Sequence, residues 1–347
     1  MRKLRTIGFL FAAVTAIWAL AAAPAVWAQG PYKPEYRMST NVNNAFALGR
    51  GAELWAKLVN ERTNGRIHVK WYPGSSLVGG ETTREFTALR QGALDFNVSS
   101  VINWAPHIKE LNLFLLPFLV PDEKAFDALI DGEVGKELFA LVEKRGVVPL
   151  AWGENGAREI SNSKREIRKP EDLKGMKFRT VGSPIFNDIY AALGANPTQM
   201  SFADAQPALQ SGAVDGQENP VSIFVAAKMT GLNQKYLTKW NYVNDPLVFA
   251  VSQKAWKSWS PEDQKIVREA AIEAARAEIA DARKGVTGSD DALLKEAAAA
   301  GAKVTVLTPG EQQAFARATQ PVIEKWTPVI GADLVRKAQQ AVAASRQ

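Results

Sequence analysis

The stretch PTQMSFADAQPALQSGAVDGQENP, residues 197–220, changes its pattern twice. Residues 198–200 read as a short strand, 202–211 as a helix and 214–217 as a second strand. A strand, a helix and a strand in so few residues form a βαβ unit, and such units build a parallel sheet covered by helices. The same alternation extends upstream, with strands over 147–152 and 176–180, a helical turn at Pro170-Glu171-Asp172-Leu173-Lys174-Gly175, and a helix over 184–193.

An earlier run repeats the theme. Residues 36–39 form a strand candidate, and Leu48, Ala52, Trp55 and Val59 fall at helical spacing within 45–60. Ile67, Val69 and Trp71 then alternate with His68, Lys70 and Tyr72, the period of a half-buried strand. A helix carrying Phe86 and Leu89 leads into a strand over 94–98. Two successive α/β runs predict two lobes, and a further strand over 247–252 follows with no Gly/Ser/Pro-rich spacer before it. The chain is therefore expected to cross between lobes more than once. The last third is helical. Ser260-Pro261-Glu262-Asp263 offers a capping hydroxyl, a proline at the first helical position and acids in the first turn, which predicts a long helix to about Lys284. Thr308-Pro309-Gly310-Glu311 repeats that logic after a strand over 303–307.

Composition excludes several classes. The chain has 347 residues, 46% hydrophobic and 22% charged, which suffices for two modest domains with their own cores. Its net charge is +6, but three of the positive charges, Arg2, Lys3 and Arg5, lie in the first five residues. No basic stripe with interleaved aromatics remains to meet nucleic acid. The basic start precedes an apolar run over 7–23, Pro24, and the small-residue pattern Val26-Trp27-Ala28, which predicts a signal peptide over 1–28, cleaved after Ala28 for a periplasmic product. Cysteine is absent, so disulfides, thiol catalysis and Cys-ligated metals are excluded.

Catalytic constellations do not assemble. His68 sits on an alternating strand and His107 follows Pro106, without metal-ligand spacing. Gly49-Arg50-Gly51 lacks the third glycine of a dinucleotide fingerprint, and the Gly-rich segment 74–80 lacks a P-loop lysine. Glu171/Asp172 and Asp290/Asp291 read as solvated helix-end charges. No catalytic residue, metal ligand or cofactor is predicted.

The informative block is 152–220. Arg158 follows Trp152-Gly153-Glu154-Asn155-Gly156-Ala157, just past the predicted strand end, and Arg179 alternates with Phe178 and Thr180, on the face of Lys177. Arg179 is thereby expected near the carboxyl edge of the sheet, where open α/β sheets bind ligands. Residues 197–220, together with 170–179, Tyr72-Pro73-Gly74-Ser75-Ser76-Leu77, Ala88-Leu89-Arg90-Gln91-Gly92-Ala93-Leu94-Asp95 and Leu115-Leu116-Pro117-Phe118-Leu119, closely resemble the solute receptors of tripartite ATP-independent periplasmic (TRAP) transporters, dicarboxylate-receptor type.

That resemblance implies a two-lobed α/β periplasmic-binding-protein fold, type II-like, with crossing strands and a long bracing helix. Its lobes would be 29–155 plus about 244–283, and 156–243 plus about 284–347. It implies that Arg179 clamps a carboxylate, that Asn219 holds the same ligand, that Arg158 is a second site arginine, that Phe202 lines the pocket and that Glu81 lies near its mouth. Trp152 is a further candidate for the pocket floor. The implied partners are a small organic acid anion and the membrane subunits of a TRAP symporter, with a monomeric receptor. C4-dicarboxylates, 2-oxo acids, sugar acids and aromatic acids all stay open as ligands. The rival readings are a secreted α/β enzyme with Arg179 as substrate clamp and Glu81 as base, and a ligand-presenting receptor for a membrane sensor.

Overall fold

A computed structural model describes residues 32–346. The predicted signal peptide lies outside the described residues. Ten strands are present among them: β1 Tyr36–Ser39, β2 Val69–Tyr72, β3 Phe96–Ser100, β4 Val147–Asn162, β5 Lys177–Thr180, β6 Asn196–Gln199, β7 Gly216–Pro220, β8 Tyr236–Lys239, β9 Asn244–Ser252 and β10 Lys303–Val306. They join in the order β2-β1-β3-β9-β4-β7-β5-β6, with β8 bridging β4 and β10.

The outer portions are parallel, as the βαβ reading predicts: β1 with β2 and β3, β5 with β6 and β7. The centre differs. There β9 runs antiparallel to both β3 and β4, and β4 runs antiparallel to β7 and β8. The reason is the length of β4, which continues ten residues beyond the predicted end at Trp152. Its Gly153-Glu154-Asn155-Gly156 segment looks like a loop but is a bulged strand. The register shifts between Glu154 and Gly156, and Gly156 takes a left-handed φ of 111°, a conformation glycine adopts without steric cost. One half of β4 thus belongs to the β2-β1-β3-β9 side and the other to the β7-β5-β6 side.

Each side has an aromatic centre. Trp55, the buried face of the helix Ala47–Arg62, meets Phe96 at 5.0 Å, and Tyr36 meets Trp259 at 5.4 Å. On the other side Phe178 stacks on Tyr190 at 4.1 Å and Trp240 on Tyr242 at 4.0 Å. The helix Pro261–Arg283 begins as its sequence predicts, with the Ser260 hydroxyl accepting from the Asp263 amide at 3.1 Å. It lies along the helix Ala47–Arg62 and along β4. Small residues set that approach: Ala270, Ala271, Ala274 and Ala275 are buried, and a Cβ on Gly153 would stand 2.8 Å from Glu278 Oε2 and 2.9 Å from the Phe249 ring. Glu278 in turn accepts from the Glu154 amide at 3.0 Å, tying the helix to the crossing strand.

The helix Pro309–Ile330 carries the predicted capping box, Thr308 and Glu311 bonding reciprocally. Beyond Gly331 the helix Ala332–Ala344 packs on Glu123–Asp131 and Glu133–Lys144, inside the residue range of the predicted first lobe rather than the second. Its buried stripe, Leu334, Val335, Ala338 and Val342, explains that docking.

Candidate functional site

A cavity of about 630 Å³ opens where the carboxyl ends of several parallel strands converge. Ser100 ends β3, Arg179 is next to last in β5 and Asn219 next to last in β7, and all three line it. Asn41 and Phe46, between β1 and the helix Ala47–Arg62, close it from the other side with Phe202 at the start of the helix Phe202–Ser211. Phe46 and Phe202 meet edge to face with centroids 6.1 Å apart.

Arg179 is 2% exposed, yet only its Nε has a partner within the protein, donating to the Met200 carbonyl at 3.1 Å. One terminal guanidinium nitrogen is buried with no hydrogen-bond partner. Burial lowers its pKa to about 10, with nearby Glu218 acting against that shift and Arg158 adding to it, so it is charged at neutral pH. A buried cation with an open donor beside a cavity is ready to receive an anion.

Arg158 is arranged in the opposite way. It stands in the middle of β4, where the strand passes between the two sides, and it is as buried as Arg179. Its Nε and one terminal nitrogen grip the Glu218 carboxylate as a fork, the latter at 2.8 Å, and the other terminal nitrogen donates to Asp245 at 2.9 Å. Burial works against its charge, but Glu218 and Asp245 outweigh it and hold Arg158 firmly protonated. Asp245 also accepts from the Ser100 hydroxyl at 2.5 Å and from the Asn155 amide at 2.8 Å. Burial raises the Asp245 pKa, with Arg158 opposing.

Asn219 accepts from Arg158 at 3.2 Å through Oδ1, and its amide donates to Gln217. Its place near the end of the strand β7 aims it. Four of the six predicted site residues, Arg179, Arg158, Asn219 and Phe202, therefore line one cavity. Glu81 does not join them; it is exposed and faces a smaller recess of about 260 Å³ that meets the cavity at Arg179, Thr82 and Asn103. Trp152 is part of the core, stacked on Phe139 at 4.3 Å and against Phe114 at 5.6 Å. Its aromatic bulk is used for packing, which corrects its place on the pocket floor.

Ser100, Asn103, Asn155 and Asp245 are the lining groups that the motif reading passes over. Ser100 was legible in principle, since the predicted strand 94–98 ends two residues short of it and ligands gather at that edge. Asp245 precedes the predicted apolar strand 247–252, although it falls within β9 itself, and carries no local signal.

The chain is similar in sequence and fold to known proteins. The family model DctP, bacterial extracellular solute-binding protein, family 7, matches residues 38–328. A TRAP periplasmic solute-binding protein of Ralstonia eutropha H16, crystallised with bound (S)-2-acetolactate, is 60% identical with a TM-score of 0.89, over 90% of this chain and 100% of that one. A counterpart from Sulfurospirillum deleyianum with bound succinate is 31% identical with a TM-score of 0.81, over 89% of this chain and 99% of that one. The C4-dicarboxylate-binding periplasmic protein DctP of Vibrio cholerae is 33% identical over 300 residues, 84% of this chain and 86% of its own.

Proposed function

This chain belongs to the DctP family, family 7 of the bacterial extracellular solute-binding proteins, and from that premise we propose how it works as a TRAP-type receptor for an organic acid anion. The family is one of transport receptors, not enzymes, so neither the enzyme reading with Glu81 as base nor the sensor-presenting reading is retained. The observation that carries the proposal is Arg179, a buried guanidinium with an unpartnered nitrogen on the cavity wall. Its planar fork meets a carboxylate bidentately and stays charged at any working pH, which a lysine would not reproduce. Asn219 and Phe202 complete the hold, one through its amide and one through its face. Arg158 acts as the fixed post against which Asn219 is positioned.

The ligand class is that of short 2-hydroxy and 2-oxo acids, to which the acid bound by the Ralstonia relative belongs. The receptor is exported with cleavage after Ala28, works as a periplasmic monomer and hands its ligand to the membrane subunits of a symporter. Two lobes, 29–155 plus about 244–283 and 156–243 plus about 284–347, close over the acid, with the last helix resting on the first. Closure is favoured because the ligand touches both lobes only when they are shut.

A thermal-shift screen of residues 29–347 against organic acids, run beside Arg179→Ala, tests this. A ligand at 100 times its Kd adds about 2.7 kcal/mol of stability. The expected result is a clear upward shift for 2-acetolactate or a close analogue that the variant loses. A shift that survives in the variant removes Arg179 as the clamp.

A further inference from the structure

We infer that the cavity is built for a ligand carrying a single negative charge, and that Asp245 is the residue that turns a second carboxylate away. The inference rests on the carboxylate-receptor reading above and goes beyond it. Two arginines reach the inner wall, but they are not equivalent. Every nitrogen of Arg158 is engaged, on Glu218, Asp245 and Asn219. Of the two, Arg179 alone has a buried nitrogen without a partner. Glu218 and Asp245 both bond Arg158 and neither bonds Arg179, so a first carboxylate pairs with Arg179 and a second finds no inner cation free.

It finds an anion instead. Asp245 is itself on the cavity wall and fully buried, and its oxygens are already filled by Ser100, Asn155 and Arg158. A like charge brought against it in a medium poorer in water than bulk is repelled. Further polar lining groups, Asn41, Thr82, Asn103, Asn155 and Ser222, are neutral and suit hydroxyl or carbonyl oxygens. At the rim Arg50 is paired with Asp281 at 2.6 Å, and the exposed Lys284 shares that rim with Asp281, Asp290 and Glu296, leaving it net negative.

Matched anions differing by one charge test this by titration calorimetry at pH 7.5: 2-acetolactate against 2-hydroxy-2-methylmalonate, in which a carboxylate oxygen replaces the ketone methyl, and 4-hydroxybutyrate against succinate. The wild type is expected to favour the monoanion on the order of tenfold or more in at least the first pair. Asp245→Asn is expected to bring the dianion up by about tenfold relative to its monoanionic partner. Equal or tighter binding of the dianions by the wild type overturns the inference and leaves the receptor standing. A preference for monoanions that Asp245→Asn does not alter removes Asp245 as its cause. Failure of every acid to bind overturns the receptor reading and the inference together. If Asp245→Asn does not fold, Asp245→Ser replaces it, and the wild-type ratio still decides the charge preference.

Discussion

Arg179 is held in the fold at a cost. Its pKa falls to about 10 because burial strips water from the cation, no protein acid hydrogen-bonds to it and the more distant Glu218 offsets only part of the loss. A base with a depressed folded pKa destabilises the fold at every pH below that value, and the penalty fades only as pH rises from about 10 toward its ordinary range. Arg179→Met should therefore stabilise the ligand-free protein at pH 7, on the order of 1–3 kcal/mol by chemical denaturation, while abolishing its response to acids. An unchanged or lowered stability would mean that the guanidinium is satisfied within the protein. This residue was legible because its neighbours, 170–179 and 197–220, form long motifs. Asp245 was not, since its role arises from Arg158, 87 residues away in the chain. Nothing local announces such a pairing.

Among the elements, the helix Pro261–Arg283 shows how closely packing and sequence agree. Its cap and its length were legible from Ser260-Pro261-Glu262-Asp263 and the alanines that follow. What it rests on was not, because the receiving surface is a glycine in a strand that resembles a loop. Gly153→Val should force the helix off β4 and β9, costing on the order of 3 kcal/mol in urea unfolding. A cost below about 1 kcal/mol would show that the seam yields easily. The short helices Glu123–Asp131 and Glu133–Lys144 had no reading from sequence, since Gly132 breaks one apolar period into two.

For the molecule as a whole, the repeated crossing of the chain was legible from the missing spacer, but the antiparallel centre was not. Several buried acids lack a full charge partner: burial raises Glu85, Glu154 and Glu278, and it pushes Glu159 up to about 8 although two backbone amides, of Trp240 and Asn241, donate to it. An acid raised in the folded state keeps its proton where the unfolded chain has lost it. Unfolding then releases protons, and stability should fall as pH rises from about 4.5 through 8. Glu159→Gln keeps the oxygen that accepts both amides and removes the charge. It should flatten that decline, gaining on the order of 2 kcal/mol at pH 8.5 and little at pH 5 in melting experiments. A parallel pair of curves would show that Glu159 is ionised throughout. The continuity of β4 through both sides has a mechanical meaning as well. Two bodies sharing an unbroken strand have no pivot about which to swing; changing their angle winds that strand, and resistance grows with each degree, as in a torsion bar. The register shifts at Pro149/Ala151 and Glu154/Gly156 interrupt the β4 ladder, and such irregularities are where a strand bends and twists most readily. If closure winds that strand, two such chains with identical cavity walls but different bulges are expected to bind the same acid unequally.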